Sequence, residues 1–330
     1  MSIGRTILGL LCVVLGLWLF AGVFFNPTRA EAARTFDTSF SCRDCHSQVF
    51  DEWEGSQHSI AWTNPAVRLL SNDFANQDCI DCHAPRPIFV TGVGERVLPR
   101  ASRRVEGVDC IACHLLPENP DGTPGGMAGT VTNVNAACRP VQKVELQRVE
   151  FCAGCHDQHK TVEQYKNSEW PARGEDCLSC HMPYRNGDVN SGRDHRCLGG
   201  NSLPLLKSAV ELRGVLDGEH WNIEIENVGA GHSFPTDDRS RAADIFWRPT
   251  VGSGAWRKIY RFRSPYRFEV DIEDNLLLAH ETRVIPLIDA EATGTFEVAL
   301  FYKRSPHYED PEAPDPEREA VLVHSIVLGD

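Results

Sequence analysis

CRDCH, residues 42–46, is the first of five copies of the pattern CxxCH in this sequence of 330 residues. The five cysteine pairs are Cys42 and Cys45, Cys79 and Cys82, Cys110 and Cys113, Cys152 and Cys155, and Cys177 and Cys180; the histidines that follow them are His46, His83, His114, His156 and His181. Two cysteines three residues apart on one helical turn can form thioethers to the two vinyl groups along one edge of a haem. The next residue then presents its imidazole to the iron from one face. The pattern, numbered here as motifs 1 to 5 in chain order, predicts five covalently bound haem c groups.

Paired cysteines also occur in zinc knuckles and in thioredoxin-like proteins. Structural zinc is held by four protein ligands, and knuckles rarely place a histidine directly after every cysteine pair. A thioredoxin-like CxxC occurs once per domain rather than five times. Five of five pairs followed by histidine therefore favour haem.

The N-terminus indicates export. Arg5 precedes residues 6–25, twenty residues without a charge, which is about the length of a membrane-spanning helix. The small-residue sequence Ala30-Glu31-Ala32 also allows a signal peptide that is removed. We interpret residues 1–32 as a retained anchor or a cleaved signal peptide; in both cases the rest of the chain lies outside the cytoplasmic membrane, in the periplasm or its equivalent.

The chain divides into two parts of different character. Residues 33–200 hold all five motifs but little continuous apolar periodicity, and Gly- and Pro-rich loops such as residues 117–129 interrupt them. Such a stretch cannot build a core from its own side chains, whereas five haems would supply one. We therefore predict a pentahaem domain of helices and loops over residues 33–200.

Strand periodicity begins after residue 200. Apolar and polar residues alternate over 221–226, residues 242–250 and 256–262 flank a Gly-Ser-Gly hairpin signal, and residues 296–302 and 321–328 are typical of two further strands, the first of them half-buried. Several short strands separated by turns predict a β-sandwich-like domain over residues 201–330. The expected fold class is α+β.

Each iron also needs a ligand on its second face, which cannot come from the residues beside its own first ligand. Four further histidines have a sequence context that suits this role, namely His58, His159, His195 and His232. His58 ends a predicted helix over residues 49–58. It is too far along this helix to fold back onto the second face of the haem of motif 1, so it would serve a neighbouring haem. His195 follows motif 5, and His232 lies in a loop fixed by Gly231 and Pro235. His159 lies three residues after His156; we interpret the remaining histidines outside the motifs as structural.

The segments CRDCH…EW…SQH, FCAGCH…EW…CLSCHMP, RDH and GHSFPT resemble exported multihaem cytochromes c, the superfamily of the nitrifier tetrahaem cytochrome and hydroxylamine oxidoreductase. The resemblance spans roughly residues 40 to 300. It implies that His58, His195 and His232 are distal haem ligands, that the β-domain returns a histidine to the haem domain, and that the chain carries electrons. Many relatives have Gly after FPT, where this chain has Asp237.

Function follows from the haems. Histidine on both faces of most irons predicts low potentials, and closely packed haems without a substrate pocket would form an electron relay between a membrane donor, including a quinol-linked one, and another exported redox protein. The chain carries 33 Lys and Arg against 46 Asp and Glu, a net charge of −13, which argues against nucleic acid and anionic lipid as partners. The acidic surface would suit a basic docking protein, and plain solubility is the other interpretation. Two alternatives stay open: an oxidoreductase of nitrogen compounds with one open haem, and a pentahaem subunit of a quinol-oxidising membrane complex. All five motifs end in His, so the CxxCK signature of pentahaem nitrite reductases does not occur.

Cys138 and Cys197 are left over from the motifs. In an oxidising compartment they could form a disulfide, and two free buried thiols are the other interpretation.

Overall fold

The structure is a computed structural model that describes residues 36–236, 239–250, 254–266, 268–288 and 294–329. The predicted anchor or signal peptide lies outside the described residues. Across the ranges that are described, no helix combines the length and the apolar composition needed to cross a membrane.

The part that carries the motifs consists of short helices joined by long loops. The helices are α1 Ser47–Glu54, α2 Pro65–Leu70, α3 Asp78–His83, α4 Ile88–Thr91, α5 Cys110–His114, α6 Val149–His156, α7 Thr161–Lys166 and α8 Cys177–His181. Turns of 3₁₀-helix lie at Ser39–Cys42, Arg104–Glu106, Val144–Gln147, Pro171–Arg173, Arg185–Gly187 and Val189–Ser191. A small parallel pair joins β1 Ala128–Gly129 to β2 Val141–Gln142. None of these elements is long enough to bury a continuous apolar face.

Two antiparallel sheets form the C-terminal part. They consist of α9 Leu203–Ala209, β3 Val210–Asp217, β4 His220–Asn227, β5 Ala242–Pro249, β6 Arg257–Phe262, β7 Thr282–Pro286, β8 Phe296–Lys303, α10 Pro316–Glu319 and β9 Val321–Leu328. One sheet has the strand order β3-β4-β7 and the other β6-β5-β8-β9. Residues from both sheets, such as Ile223 and Ile285 from the first and Trp247 and Leu300 from the second, share one buried core. The two sheets are therefore the layers of a sandwich, and the predicted α+β fold class is confirmed.

The strand predictions hold with one correction. The alternation over residues 221–226 becomes β4, with Ile223 and Ile225 fully buried, and the segments on either side of the predicted hairpin pair as β5 and β6. Strand β8 is buried on both faces rather than half-buried, because Ala299 and Phe301 join a second cluster with Phe246 and Tyr308. Sequence alternation missed this second layer because Tyr308 comes from the loop after the strand.

The apolar core is very unevenly divided. The one large buried cluster and a second cluster of four buried residues lie between residues 206 and 323. The motif-bearing part contributes one small cluster of Phe74, Ile80 and Ala84. This part therefore lacks the interior that its own side chains would need, as the sequence predicts.

Candidate haem sites

Four of the five motifs end a short helix, which places both cysteines and the histidine within about one turn. Motifs 2, 3, 4 and 5 lie on α3, α5, α6 and α8, while Cys42 of motif 1 ends a 3₁₀ turn and His46 precedes α1. Asp109 starts α5 by accepting a hydrogen bond from the Ala112 amide. Asp176 starts α8 through a capping box with Ser179. The local sequence therefore supplies the caps that start the helices of motifs 3 and 5.

Backbone carbonyls orient three of the motif histidines. The Nδ1 atoms lie 2.8 Å from the Ala61 oxygen for His83, 2.8 Å from the Ala128 oxygen for His114, and 2.5 Å from the Leu198 oxygen for His181. When Nδ1 donates to a carbonyl, the lone pair of the ring is on Nε2 and points away from the backbone. The Nε2 lone pair of each of these three histidines is thus available to bind a metal ion.

Three of the motif histidines face a second imidazole from a distant part of the chain. The ring centroids are 6.1 Å apart for His156 and His58, 6.3 Å for His114 and His195, and 6.2 Å for His181 and His232. Two metal–nitrogen bonds of about 2.0 Å, plus about 1.1 Å from Nε2 to the centroid of each ring, separate two centroids by about 6.2 Å. The spacing therefore fits one iron between each pair.

Protein ligands alone do not complete these sites. In the ranges that the structure describes, no three or more His, Cys, Asp or Glu side chains are arranged to hold a metal ion, whereas structural zinc needs four such ligands. A haem iron takes four nitrogens from the porphyrin and needs two more ligands from the protein. The paired imidazoles and their nearby cysteines thus fit a haem and not a zinc knuckle.

Burial keeps the rings of His58 and His232 neutral. Together with the neighbouring His156, it lowers the pKa of His58 to about 4. It likewise lowers the pKa of His232 to about 4. His156, by contrast, is exposed to solvent. Neutral rings have the free lone pair that iron ligation requires.

A tight backbone contact holds His58. Helix α1 ends at Glu54, before His58, and not at residue 58 as predicted, because the chain turns at Gly55 and the Ser59 hydroxyl bonds the Glu54 carbonyl. The amide of Val108 donates to the carbonyl of His58 over 2.9 Å. A Cβ on Gly107, whose φ is +59°, would lie 2.3 Å from that same carbonyl. The approach of these two segments therefore requires glycine at position 107.

Glu52 holds the segment of His195. Its carboxylate accepts two hydrogen bonds from the Arg185 guanidinium, each 2.6 Å long, and one of 3.0 Å from the His195 amide. The Arg185 guanidinium holds the pKa of the Glu52 carboxyl below its usual value. The carboxylate is thus charged and fixes the His195 segment, which belongs to the end of the motif region, against α1 near its beginning.

The His232 loop is fixed to both parts of the chain. The buried Asn227 amide donates to the carbonyls of His232 and Leu277, over 2.9 and 3.3 Å. The Ser233 amide donates to the Gln164 side chain of α7 over 3.2 Å. The β-domain therefore presents His232 to His181 from a loop anchored at both ends. Asp237, the departure from the relatives noted above, lies outside the described residues.

The remaining predicted ligands are not paired in this way. Among the described residues, His46 and His83 have no other histidine ring facing them at a comparable distance, and neither has His159. His159 is half-buried and its Nδ1 atom has no hydrogen-bond partner. The role of His159 as a distal ligand thus stays a prediction without a partner ring to support it.

Contacts between thiols show which motifs are neighbours. The thiol of Cys110 lies beside that of Cys42, the thiol of Cys155 beside that of Cys82, and the thiol of Cys152 beside that of Cys177. Cys113 is also near both Cys152 and Cys155. Motif 3 therefore lies between motifs 1 and 4, and motif 4 adjoins motifs 2 and 5.

Cys138 and Cys197 do not bond each other in the structure, which agrees with the free-thiol interpretation, and the disulfide stays a prediction. Among the histidines interpreted as structural, His324 bonds the carbonyls of Lys207 and Val210 through Nε2. Sequence reasoning missed Glu52, Asn227 and Gln164. Their partners are up to 143 residues away in sequence, so no local pattern could indicate them.

Comparison with known proteins gives one matching family model and one similar solved structure. Residues 41–115 match the family model described as cytochrome c554 and c-prime. The fold is similar to the crystal structure of a penta-heme cytochrome c552 from Thermochromatium tepidum, with a TM-score of 0.62 and 19% sequence identity over 89% of this chain and 98% of that chain. Comparison with curated proteins gives no match. The motifs and these similarities together define a multihaem c-type cytochrome that binds haem c covalently.

Proposed function

We propose that the chain is an exported pentahaem cytochrome that relays electrons between a donor in or at the membrane and another redox protein. The observation that carries the proposal is the set of three imidazole pairs, each spaced for one iron. Haem iron held by two histidines supplies one-electron chemistry at low potential. Both axial positions are then filled by protein, which suits a carrier rather than an enzyme.

Each motif has a defined role in this proposal. The ten motif cysteines form the thioethers, and the five motif histidines ligate from one face. His58, His195 and His232 ligate from the other face at motifs 4, 3 and 5. The adjacency of the motifs gives the order 1, 3, 4, with motifs 2 and 5 both beside motif 4. Motif 4 is thus the branch point of the relay.

The partner is expected to be basic. The net charge of −13 attracts a positively charged surface and speeds its encounter with this chain at low ionic strength. Motif 1 is the most accessible point for electrons to enter. Cys45 and His46 are both exposed, whereas the other nine motif cysteines are half-buried. We infer that a redox partner docks near motif 1.

Mass spectrometry and electron paramagnetic resonance of the mature protein test the proposal. We expect five covalent haem adducts, one per motif, and at least three low-spin ferric signals typical of two histidine ligands. His58→Ala, His195→Ala and His232→Ala are each expected to convert one of these signals to high spin. Fewer than five adducts, or bound zinc, would contradict the proposal.

A second function is favoured by a specific observation. His46 and His83 have no facing imidazole among the described residues, so the haem at motif 1 or 2 has a coordination position that an exogenous ligand could occupy. An oxidoreductase of nitrogen compounds would use such a position. Binding of carbon monoxide to reduced protein, together with turnover of nitrite or hydroxylamine, would favour the enzyme; a fully low-spin protein without turnover would favour the carrier.

A further inference from the structure

An aromatic stack capped by a guanidinium lies beside the histidine of motif 2. The rings of Trp62 and Phe74 are parallel within 3°, with centroids 4.2 Å apart. The Phe74 ring lies 5.5 Å from the ring of His83. On Trp62, the Arg104 guanidinium lies 5.3 Å from the ring centroid. The order is thus cation, indole, phenyl and iron-ligating imidazole.

The chain holds Phe74 in this place at a conformational cost. Asn72, Asp73 and Phe74 have φ values of 49°, 55° and 59°, a left-handed conformation that non-glycine residues rarely adopt. The Ser71 hydroxyl accepts from the Phe74 amide over 3.0 Å and stabilises this turn. Consecutive left-handed residues of this kind persist where the surroundings fix them, often at functional sites.

Arg104 differs from Arg68, the other cation on the stack, in its partners. Arg68 also lies against both rings, but Asp73 pairs with it at 2.6 Å. Arg104 donates to the backbone carbonyl of Arg100. No carboxylate within the described ranges forms an ion pair with Arg104.

Carboxylates predominate on the other side of motif 2. Asp78 and Asp81 of α3 share the single guanidinium of Arg96, at 2.7 Å each. Asp81 is buried, whereas Arg96 is exposed, so solvent screens the cation more than this carboxylate. The charge of Arg104 therefore acts on an environment that is otherwise acidic.

We propose that Arg104, acting through the Trp62 and Phe74 stack, is a tuning residue that raises the reduction potential of the haem held by Cys79, Cys82 and His83. The inference rests on the proposed function, because it needs a haem at motif 2. Reduction adds one negative charge, and a half-buried cation behind two aromatic rings stabilises that charge with little screening by water. Such a shift would distinguish motif 2 from motif 5, another neighbour of motif 4.

Redox titration of the fully loaded protein tests the inference. Arg104→Gln removes the charge, Arg104→Lys retains it, and Arg213→Gln removes an exposed cation from the β-domain as a control. The titration curve is a sum of components, one for each haem. A His83→Met variant identifies the component of the haem at motif 2, because methionine raises the potential of the haem that it ligates. In Arg104→Gln we expect the ratio of reduced to oxidised haem of this component, at a fixed applied potential, to fall on the order of tenfold. Arg104→Lys is expected to restore it.

Three results would overturn the inference: an unchanged component in Arg104→Gln, an equal fall in Arg104→Lys, or a uniform shift of all components that Arg213→Gln reproduces. If the Arg104→Gln protein is not produced with all its haems, Trp62→Leu is the deciding variant. It exposes the Arg104 guanidinium to water and should lower the reduction potential of the motif 2 component alone. Mass spectrometry separates the two proposals. Wild-type protein without haem on Cys79 and Cys82 refutes the proposed function, while a loaded motif 2 with no response refutes only the role of Arg104.

Discussion

At the scale of single residues, the predicted distal histidines depend on side chains that have no metal-binding character themselves. Glu52 bonds both Arg185 and the amide of His195. Asn227 bonds the carbonyl of His232. These contacts fix the backbone beside the ligand, so that the imidazole is already in position to face its partner ring. The precision of each pair is thus a property of its supporting residues.

Glu52→Ala is expected to release His195 from His114. The Arg185 guanidinium is 13% exposed and would lose its partner, which costs on the order of 3 kcal/mol of folding free energy for a largely buried pair. Electron paramagnetic resonance should show one low-spin signal converted in part to high spin. Glu54→Ala, an exposed position on the same helix, is the matched control and should change neither the spectrum nor the melting temperature. An unaltered spectrum in Glu52→Ala would refute the positioning role.

At the scale of elements, the motif helices are too short to be stable by themselves, so their N-terminal caps matter. Helices α5 and α8 are each five residues long, well under the length at which an isolated helix persists in water. Both begin with a capping aspartate. Asp109 additionally pairs with Arg100 at 3.1 Å and with Arg103 at 2.7 Å, in a buried environment.

These two caps give a matched comparison. Asp109→Ala should lower the free energy of unfolding by about 3–5 kcal/mol, because it leaves the buried Arg100 unpaired. Asp176→Ala removes a cap and should cost about 1 kcal/mol. Thermal unfolding of the loaded variants measures both. Equal losses would show that the ion pairs around Asp109 contribute nothing beyond the cap.

At the scale of the whole molecule, the two parts of the chain obtain their interiors from different sources. The sandwich buries Trp247, Phe296 and Leu300 between its own sheets. The motif-bearing part has one small cluster. Haem would supply the interior that this part lacks, so attachment and folding should be coupled in one part and independent in the other.

Hydrogen exchange on full-length chain produced without haem attachment checks this division. Amides of β5 and β8 should remain protected, because their ladder and core do not involve the motifs. Amides of α3, α5, α6 and α8 should exchange rapidly. The same measurement on loaded protein should show protection in both parts. Protected motif helices in the haem-free chain would contradict the idea that haem replaces the missing core.

The sequence by itself determined the attachment chemistry, the α+β class and most of the strands. These features are local. CxxCH needs only one helical turn, and a strand such as β4 is recognised by the alternation of apolar and polar residues over a few positions. Its two errors had different origins, one local and one tertiary. The helix after motif 1 ends at Glu54 because of Gly55, and β8 is buried on both faces because a later loop covers it.

The tertiary structure alone decided which histidines face one another. His58 meets His156, His195 meets His114, and His232 meets His181 across separations of 51 to 98 residues. A histidine's neighbours in sequence carry no information about a ring that approaches from the opposite face. That approach is set by long-range contacts such as those of Glu52 and Gly107, which exist only once distant segments have packed together.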